Sequence, residues 1–289
     1  SVLDPQAGVS VFERQKANSA TNASTSKSKK EIFEATTYPL GAMGSGSDYS
    51  SFIQHIGVPS LNIGYGGEDA GGEYHSIYDS YDHYARFKDA EFKYGVTLAK
   101  TSGRAVLRLS EADVLPFDFT ALHKTIKGYI NELVSNVDAL REKAQVENDL
   151  IKNNAYTIAA DPTTKLTTPT LLTEVPFVDF SSLLNALATL EKSAQKLEKL
   201  KAGADANKLA AINAKIYSAE QSLLLPAGLP RRPWYKHSLY APGFYTGYGV
   251  KTVPGVREAI EQQNWTETQQ QITAVANAIN KFSSYLDAL

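Results

Sequence analysis

"FSSLLNALATLEKSAQKLEKLKA", residues 180–202, decides the fold. Its apolar residues Phe180, Leu183, Leu184, Leu187, Leu190, Ala194 and Leu197 advance by three or four, apart from one adjacent pair. That spacing puts them on one face of a helix, and such a face must be covered. The pattern recurs in Leu122, Ile126, Tyr129, Ile130, Leu133, Val137 and Leu140. It returns in Leu209, Ile212, Ile216, Ala219 and Leu223, and again in Ile272, Val275, Ile279, Phe282 and Leu286. Four amphipathic helices cover one another best as a bundle. The expected fold is therefore mostly α, with a small α/β part ahead of a four-helix-bundle-like domain.

Upstream, "DVLPFDF" at 113–119 stops a helical pattern at Pro116, which cannot continue a helix. The boundary is placed there, giving domains 1–115 and 116–289. Residues 1–40 read as a loop-rich lead-in, because 15–31 are mostly Ser, Thr, Asn, Ala and Lys. "GSGSD" at 44–48 reads as a turn, with Ser47 or Asp48 capping a short helix that carries Phe52, Ile53 and Ile56. Gly57 closes that helix, and Val58–Ile63 follows as a short strand. Gly64–Gly72, with five glycines, is a loop. Tyr81–Ser110 reads as a helix through Phe92, Val96, Ala99, Val106 and Leu109, weakened by Gly103. Two long connections remain. Residues 151–176 are polar and rich in Pro and Thr. Residues 224–255 hold five prolines, five glycines and six aromatics, which reads as a ligand wall or as packing between domains.

The chain has 289 residues, 43% apolar and 21% charged, which suits a globular core. It has no cysteine, which excludes disulfides, zinc thiolates and cysteine nucleophiles. A net charge of −2 gives no nucleic-acid footprint. No apolar run is long enough to span a membrane, and no targeting segment is visible.

The chemistry concentrates in "GGEYHSIYDSYDHY", residues 71–84. His75 is either a surface hydrogen-bonding group or a metal ligand. Asp79, four residues on, could accept from its imidazole or cap a helix. Zinc takes three or four converging donors at roughly 2.0–2.3 Å, and His75 and His83 do not preset that. The "GSGSD" turn could hold an anion on its backbone N–H groups or be a plain turn. It lacks the strand–turn–helix setting of a serine nucleophile.

Taken in order, "GSGSDYSSFIQHIGVPSLNIGY", "EYHSIYDSYDHY", "RAVLRLSEADVLPFDF", "PAGLPRRPWYKHSLYAP" and "VPGVREAI" give the chain its family likeness. It resembles the C-terminal portion of the M28 zinc peptidases, in the branch of glutamate carboxypeptidase II and the transferrin receptor. The likeness runs from about Gly41 to the end. It implies the end of an α/β peptidase domain followed by a helical domain that forms homodimers. In that family two zinc ions bridged by an aspartate and a water cleave a peptide bond, with a glutamate as general base.

The resemblance makes His75 the last zinc ligand and Tyr74 a substrate-facing residue. It assigns Ser45, Gly46 and Ser47 to the substrate wall, with Tyr248 binding a C-terminal carboxylate. The other ligands of the family have no counterpart here, so the chain is expected to be a C-terminal piece, inactive alone, of a carboxypeptidase acting on peptides. The missing N-terminal protease region could also be a separate partner chain. Where glutamate-specific members carry an Asn, two arginines and a lysine, this sequence has Ser47, Asn62, Gly64 and Gly247. That implies a less acidic substrate. The parent protein is expected outside the cytoplasm. The alternative is a non-catalytic, receptor-like dimerisation module.

Overall fold

A computed structural model describes residues 2–37, 40–66 and 71–289. The Gly64–Gly72 loop falls partly outside the described residues. The chain divides into two compact units.

The first unit comprises residues 1–41 and 61–112. Helix α1 (Val11–Asn22) begins with a reciprocal cap: Glu13 N–H donates to Ser10 Oγ at 3.2 Å, and Ser10 N–H donates to Glu13 Oε2 at 2.9 Å. Helix α2 (Ser26–Glu34) starts at the Thr25 cap. A short helix α3 (Tyr81–His83) runs into a wide π turn at Tyr84–Lys88, and α4 spans Lys93–Ser110. The continuous helix expected over Tyr81–Ser110 is thus interrupted. Asp89 is the reason. Its Oδ2 accepts from Gly95 N–H at 2.8 Å and from the Tyr84 hydroxyl at 3.0 Å, and Phe92 turns left-handed at φ 55°. A side-chain acceptor for the first amides of α4 starts a new helix there. Arg14 Nη1 donates to Asp4 Oδ1 at 2.7 Å and to the Tyr94 hydroxyl at 2.8 Å, which ties α1 to α4.

The second unit comprises Ala42–Ser60 and Asp113–Leu289. Helix α5 (Phe119–Lys152) is capped by Asp118, whose Oδ1 accepts from Thr120 and Ala121 N–H at 3.0 and 2.9 Å. After the short α6 (Ala155–Ala159) come α7 (Ser181–Ala202) and α8 (Ala206–Ile216), then a 3₁₀ turn at Ala219–Leu223. Strands β1 (Tyr240–Pro242) and β2 (Val250–Thr252) form an antiparallel hairpin with Tyr240 opposite Thr252. Helices α9 (Pro254–Glu261) and α10 (Trp265–Asp287) follow. Helix α10 packs on α7, α9 and the 3₁₀ turn, while α5 packs on α7.

All four sequence stripes meet in one core. Ile126, Ile130, Leu133, Leu183, Leu190, Leu197, Ile212, Ile216, Leu223, Ile272, Ile279 and Phe282 are fully buried. Each such side chain contributes roughly 1.5–3 kcal/mol of transfer free energy. The third stripe is split between α8 and the 3₁₀ turn. The C-terminal end of α5 is covered by extended chain. Asn148 exchanges two bonds with the backbone of Leu172, at 2.9 and 2.8 Å, and Arg141 donates to Pro176 O at 3.1 Å.

Residues 42–60 were expected beside the rest of 1–115, yet they pack with the helical unit. Gln54 O accepts from Lys236 and His237 N–H at 2.8 and 3.1 Å, and Ser45 N–H donates to Tyr248 O at 3.1 Å. The expected short helix forms as a π-helix, Ser50–Ile56, without a side-chain cap from Ser47 or Asp48. Gly57 ends it in the left-handed region at φ 68°. The strand expected over Val58–Ile63 is absent. Those residues form no bridge, and the only strands among the described residues are β1 and β2. No helix among the described residues is long and apolar enough to cross a membrane.

Candidate functional site

Tyr74 and His75 lie on a tight turn of the first unit. Ser76 N–H donates to Glu73 O at 2.8 Å, Asp79 N–H to Ser76 O at 3.1 Å, and Tyr78 N–H to Ser76 Oγ at 3.1 Å. His75 sits at φ 60°, an uncommon conformation for a residue with a side chain. The two rings stack with centroids 3.8 Å apart and planes at 23°. Tyr74 remains 66% exposed, open to a ligand. Asp79 does not bond the imidazole. Its Oδ2 accepts from the His75 backbone N–H at 3.4 Å instead, because the chain turns back at that point. Glu73 pairs with Lys88 at 3.1 Å, which fixes the turn to the π segment. Its own amide and the Lys88 ammonium hold its carboxyl below the usual range.

Among the described residues no three His, Cys, Asp or Glu side chains converge as a metal-binding group. One imidazole supplies one donor where zinc takes four, so these residues by themselves do not fit a zinc pair.

The remaining expected site residues come together in the second unit. The β1–β2 tip, residues 243–249, carries Tyr248 onto the Gly44–Ser47 turn. Ser45 N–H bonds Tyr248 O, and Ser45 Oγ donates to Gly247 O at 3.4 Å. Gly46, at φ 92°, lies under the Tyr248 ring. A Cβ there would stand 2.7 Å from the ring, and one at Gly44 would stand 1.9 Å from Tyr248 O. Both glycines are therefore required by close approach, and Gly46 by its backbone as well. Tyr248 is 60% exposed and Ser47 is exposed beside it, so the assembled surface can meet a ligand.

Several residues that build this surface carry no periodic signal. Gln54, fully buried, donates Nε2 to Met43 O at 3.2 Å and also to Gly44 O. Arg232 pairs with Glu258 at 2.8 and 2.7 Å at the base of the tip. Arg257 pairs with Glu132 at 2.9 and 3.0 Å and binds Thr252 O at 2.9 Å, fixing β2 to α5. Arg257 and Glu132 line a shallow cavity of about 360 Å³ with Thr246, Gly249, Lys251 and Thr252. His237 is wholly buried. Its Nδ1 accepts from Leu239 and Tyr240 N–H at 3.1 and 3.3 Å, which leaves the proton on Nε2, 2.8 Å from Glu220. Burial also pushes the Tyr240 hydroxyl pKa far up. Such contacts join residues far apart in sequence, and only their Arg–Glu and His–Glu complementarity hints at them.

Residues 178–287 match the family of the transferrin receptor-like dimerisation domain. A protein named probable glutamate carboxypeptidase from Arabidopsis thaliana is 32% identical over 253 residues, 84% of this chain and 31% of the relative. Another of that name, from Arthroderma benhamiae, is 31% identical over 248 residues, 83% of this chain and 29% of its own length. An aminopeptidase from Rattus norvegicus is 25% identical over 256 residues, covering 83% and 30%. The chain thus spans about a third of the length of these relatives.

Proposed function

From a chain that belongs, as a C-terminal portion, to the family of glutamate carboxypeptidase and the transferrin receptor, we propose that these residues form part of a peptidase that removes C-terminal residues from peptides. Ser45, Gly46, Ser47 and Tyr248 contact the substrate, with the Tyr248 hydroxyl available to a terminal carboxylate. Tyr74 contacts substrate as well. His75 is one ligand of a zinc site whose other ligands come from the region of the relatives that this chain does not match.

The observation that carries this reading is the seating of Tyr248 on Gly46. Two close approaches that only glycine permits hold an exposed tyrosine at a fixed place. Substrate preference is broader than glutamate, because Ser47, Asn62, Gly64 and Gly247 supply no cation where an acidic residue would need one. The bundle serves homodimerisation, and the parent protein works outside the cytoplasm.

The test is release of the C-terminal amino acid from an N-acetylated peptide by the complete peptidase that carries this chain. His75→Ala abolishes release. Tyr248→Ala raises KM with kcat little changed, as expected when a binding contact is lost. Full activity in His75→Ala would sink the proposal.

A second reading, a non-catalytic dimerisation module, is favoured by the family match over 178–287. It gives dimers in sedimentation and no hydrolysis from the complete protein.

A further inference from the structure

The hairpin that delivers Tyr248 is only three residue pairs long. An isolated two-stranded ribbon is marginal in water, so its strands alone cannot fix the tip. The tip contains Gly243, Gly247 and Gly249 and leaves Tyr245 82% exposed, which adds freedom rather than support.

One buried contact reaches both sides of its first turn. Glu258, on α9, accepts from Arg232 Nη2 with both carboxylate oxygens, at 2.8 and 2.7 Å. The same Oε1 accepts from Phe244 N–H at 2.8 Å. Arg232 Nη1 donates to Pro242 O, and its guanidinium lies 5.8 Å from the Phe244 ring centre and 5.5 Å from that of Tyr235. The two side chains are only 11% and 9% exposed. A buried ion pair seldom adds net stability over apolar residues of like size. This one is imperfectly satisfied, because Arg232 Nε is buried without a partner. Its distinctive product is geometry: the backbone at 242 and 244 is clamped to a helix that itself packs on α10.

We propose that Arg232 and Glu258 are positioning residues that hold the hairpin tip, and with it Tyr248, in register with the Gly44–Gly46 turn. The inference deepens the substrate-wall reading of Tyr248 and rests on it for its functional meaning. The reach is short. Three residues separate Phe244 from Tyr248, and Ser45 N–H reports the docked state through its bond to Tyr248 O.

The deciding experiment is amide hydrogen exchange on the 289-residue chain and its Arg232→Met/Glu258→Met double variant. Replacing both partners by apolar groups avoids an orphaned charge, so the bundle stays folded, as circular dichroism and the melting transition check. The expected result is a loss of protection at Ser45 N–H of about tenfold or more, with α10 amides unchanged. Unchanged protection at Ser45 in the folded double variant overturns the proposal. If that variant does not fold, Glu258→Gln decides by the same criterion. It keeps an acceptor for Phe244 N–H but removes the charge that holds Arg232. A kinetic arm on the complete peptidase separates the two readings. Lost protection with raised KM supports both. Lost protection with unchanged KM supports the positioning role and counts against Tyr248 as a substrate contact.

Discussion

The two units reach order by different means. The helical unit has a continuous core in which Ile126, Leu190, Ile279 and Phe282 lose all solvent contact. The first unit buries Ala20 and otherwise polar groups, Asp4, Ser10, Asp89 and Thr97. It leaves Ile77, Tyr81, Phe87, Val106 and Leu107 between 62% and 90% exposed. Hydrophobic burial is non-directional and scales with area, whereas hydrogen bonds are directional and modest in net worth. The bundle is thus stabilised by bulk packing. The first unit is shaped by a few addressed bonds, and large apolar side chains stay open on it.

The largest contrast should appear on truncating an aromatic in each unit. Phe282 sits edge-on to Phe119 with centroids 5.5 Å apart. Phe282→Ala should cost about 3–5 kcal/mol, while Phe87→Ala should stay within about 0.5 kcal/mol. Equilibrium denaturation measures both, and equal losses would break the comparison. Next comes Asp89→Ala, which removes the acceptor for Gly95 N–H and the Tyr84 hydroxyl. The expected outcome is a local one, faster exchange at Gly95 with the bundle amides unmoved. A global loss would show that the first unit has more cooperativity than its burial suggests.

The bundle was legible because its burial follows local periodicity. Leu183, Leu187, Leu190 and Leu197 point inward for the same reason that they recur by three and four. Where structure depends on distant partners, the sequence is silent. Nothing near Gln54 shows that its carbonyl will accept from Lys236 and His237. The sequence at Val58–Ile63 suits a strand, but among the described residues no neighbouring strand pairs with it. At the candidate site, the Gly44–Gly46 spacing signalled a turn, and the need for both glycines became visible only with Tyr248 laid across them. His75 and Asp79 showed the right spacing for an imidazole–carboxylate bond, and the left-handed backbone at His75 turned it into a main-chain one.

Smaller effects sharpen the picture. Asp118→Ala should cost about 1 kcal/mol by uncapping α5. The Thr120 hydroxyl, then the Ala121 amide, hold the Asp118 carboxyl below 3.8. Its contribution is therefore present above that value and lost as pH falls through the lowered native one. A shallower acid limb in the Asp118→Ala variant than in the parent chain, measured by thermal melting against pH, would confirm it, the other depressed carboxyls keeping the rest of the slope.

The smallest expected effect concerns His123, buried on α5. Burial lowers its pKa from 6.5, with Lys127 and Lys124 reinforcing and Glu191 opposing. The unfolded chain then binds the proton more readily. Stability should decline as pH falls from 6.5 toward the lowered native value and level off beneath it. His123→Gln should remove that slope.

Helix α5, at 34 residues, runs about 50 Å, whereas its neighbour α7, at 22, runs about 33 Å at 1.5 Å per residue. The surplus overhangs the bundle and is roofed by chain near Leu172 and Pro176, reached through an exposed spacer at 161–170. The overhang works as slack. Additions to that spacer should leave the buried core undisturbed, which makes it a place to splice in a tag or fluorophore.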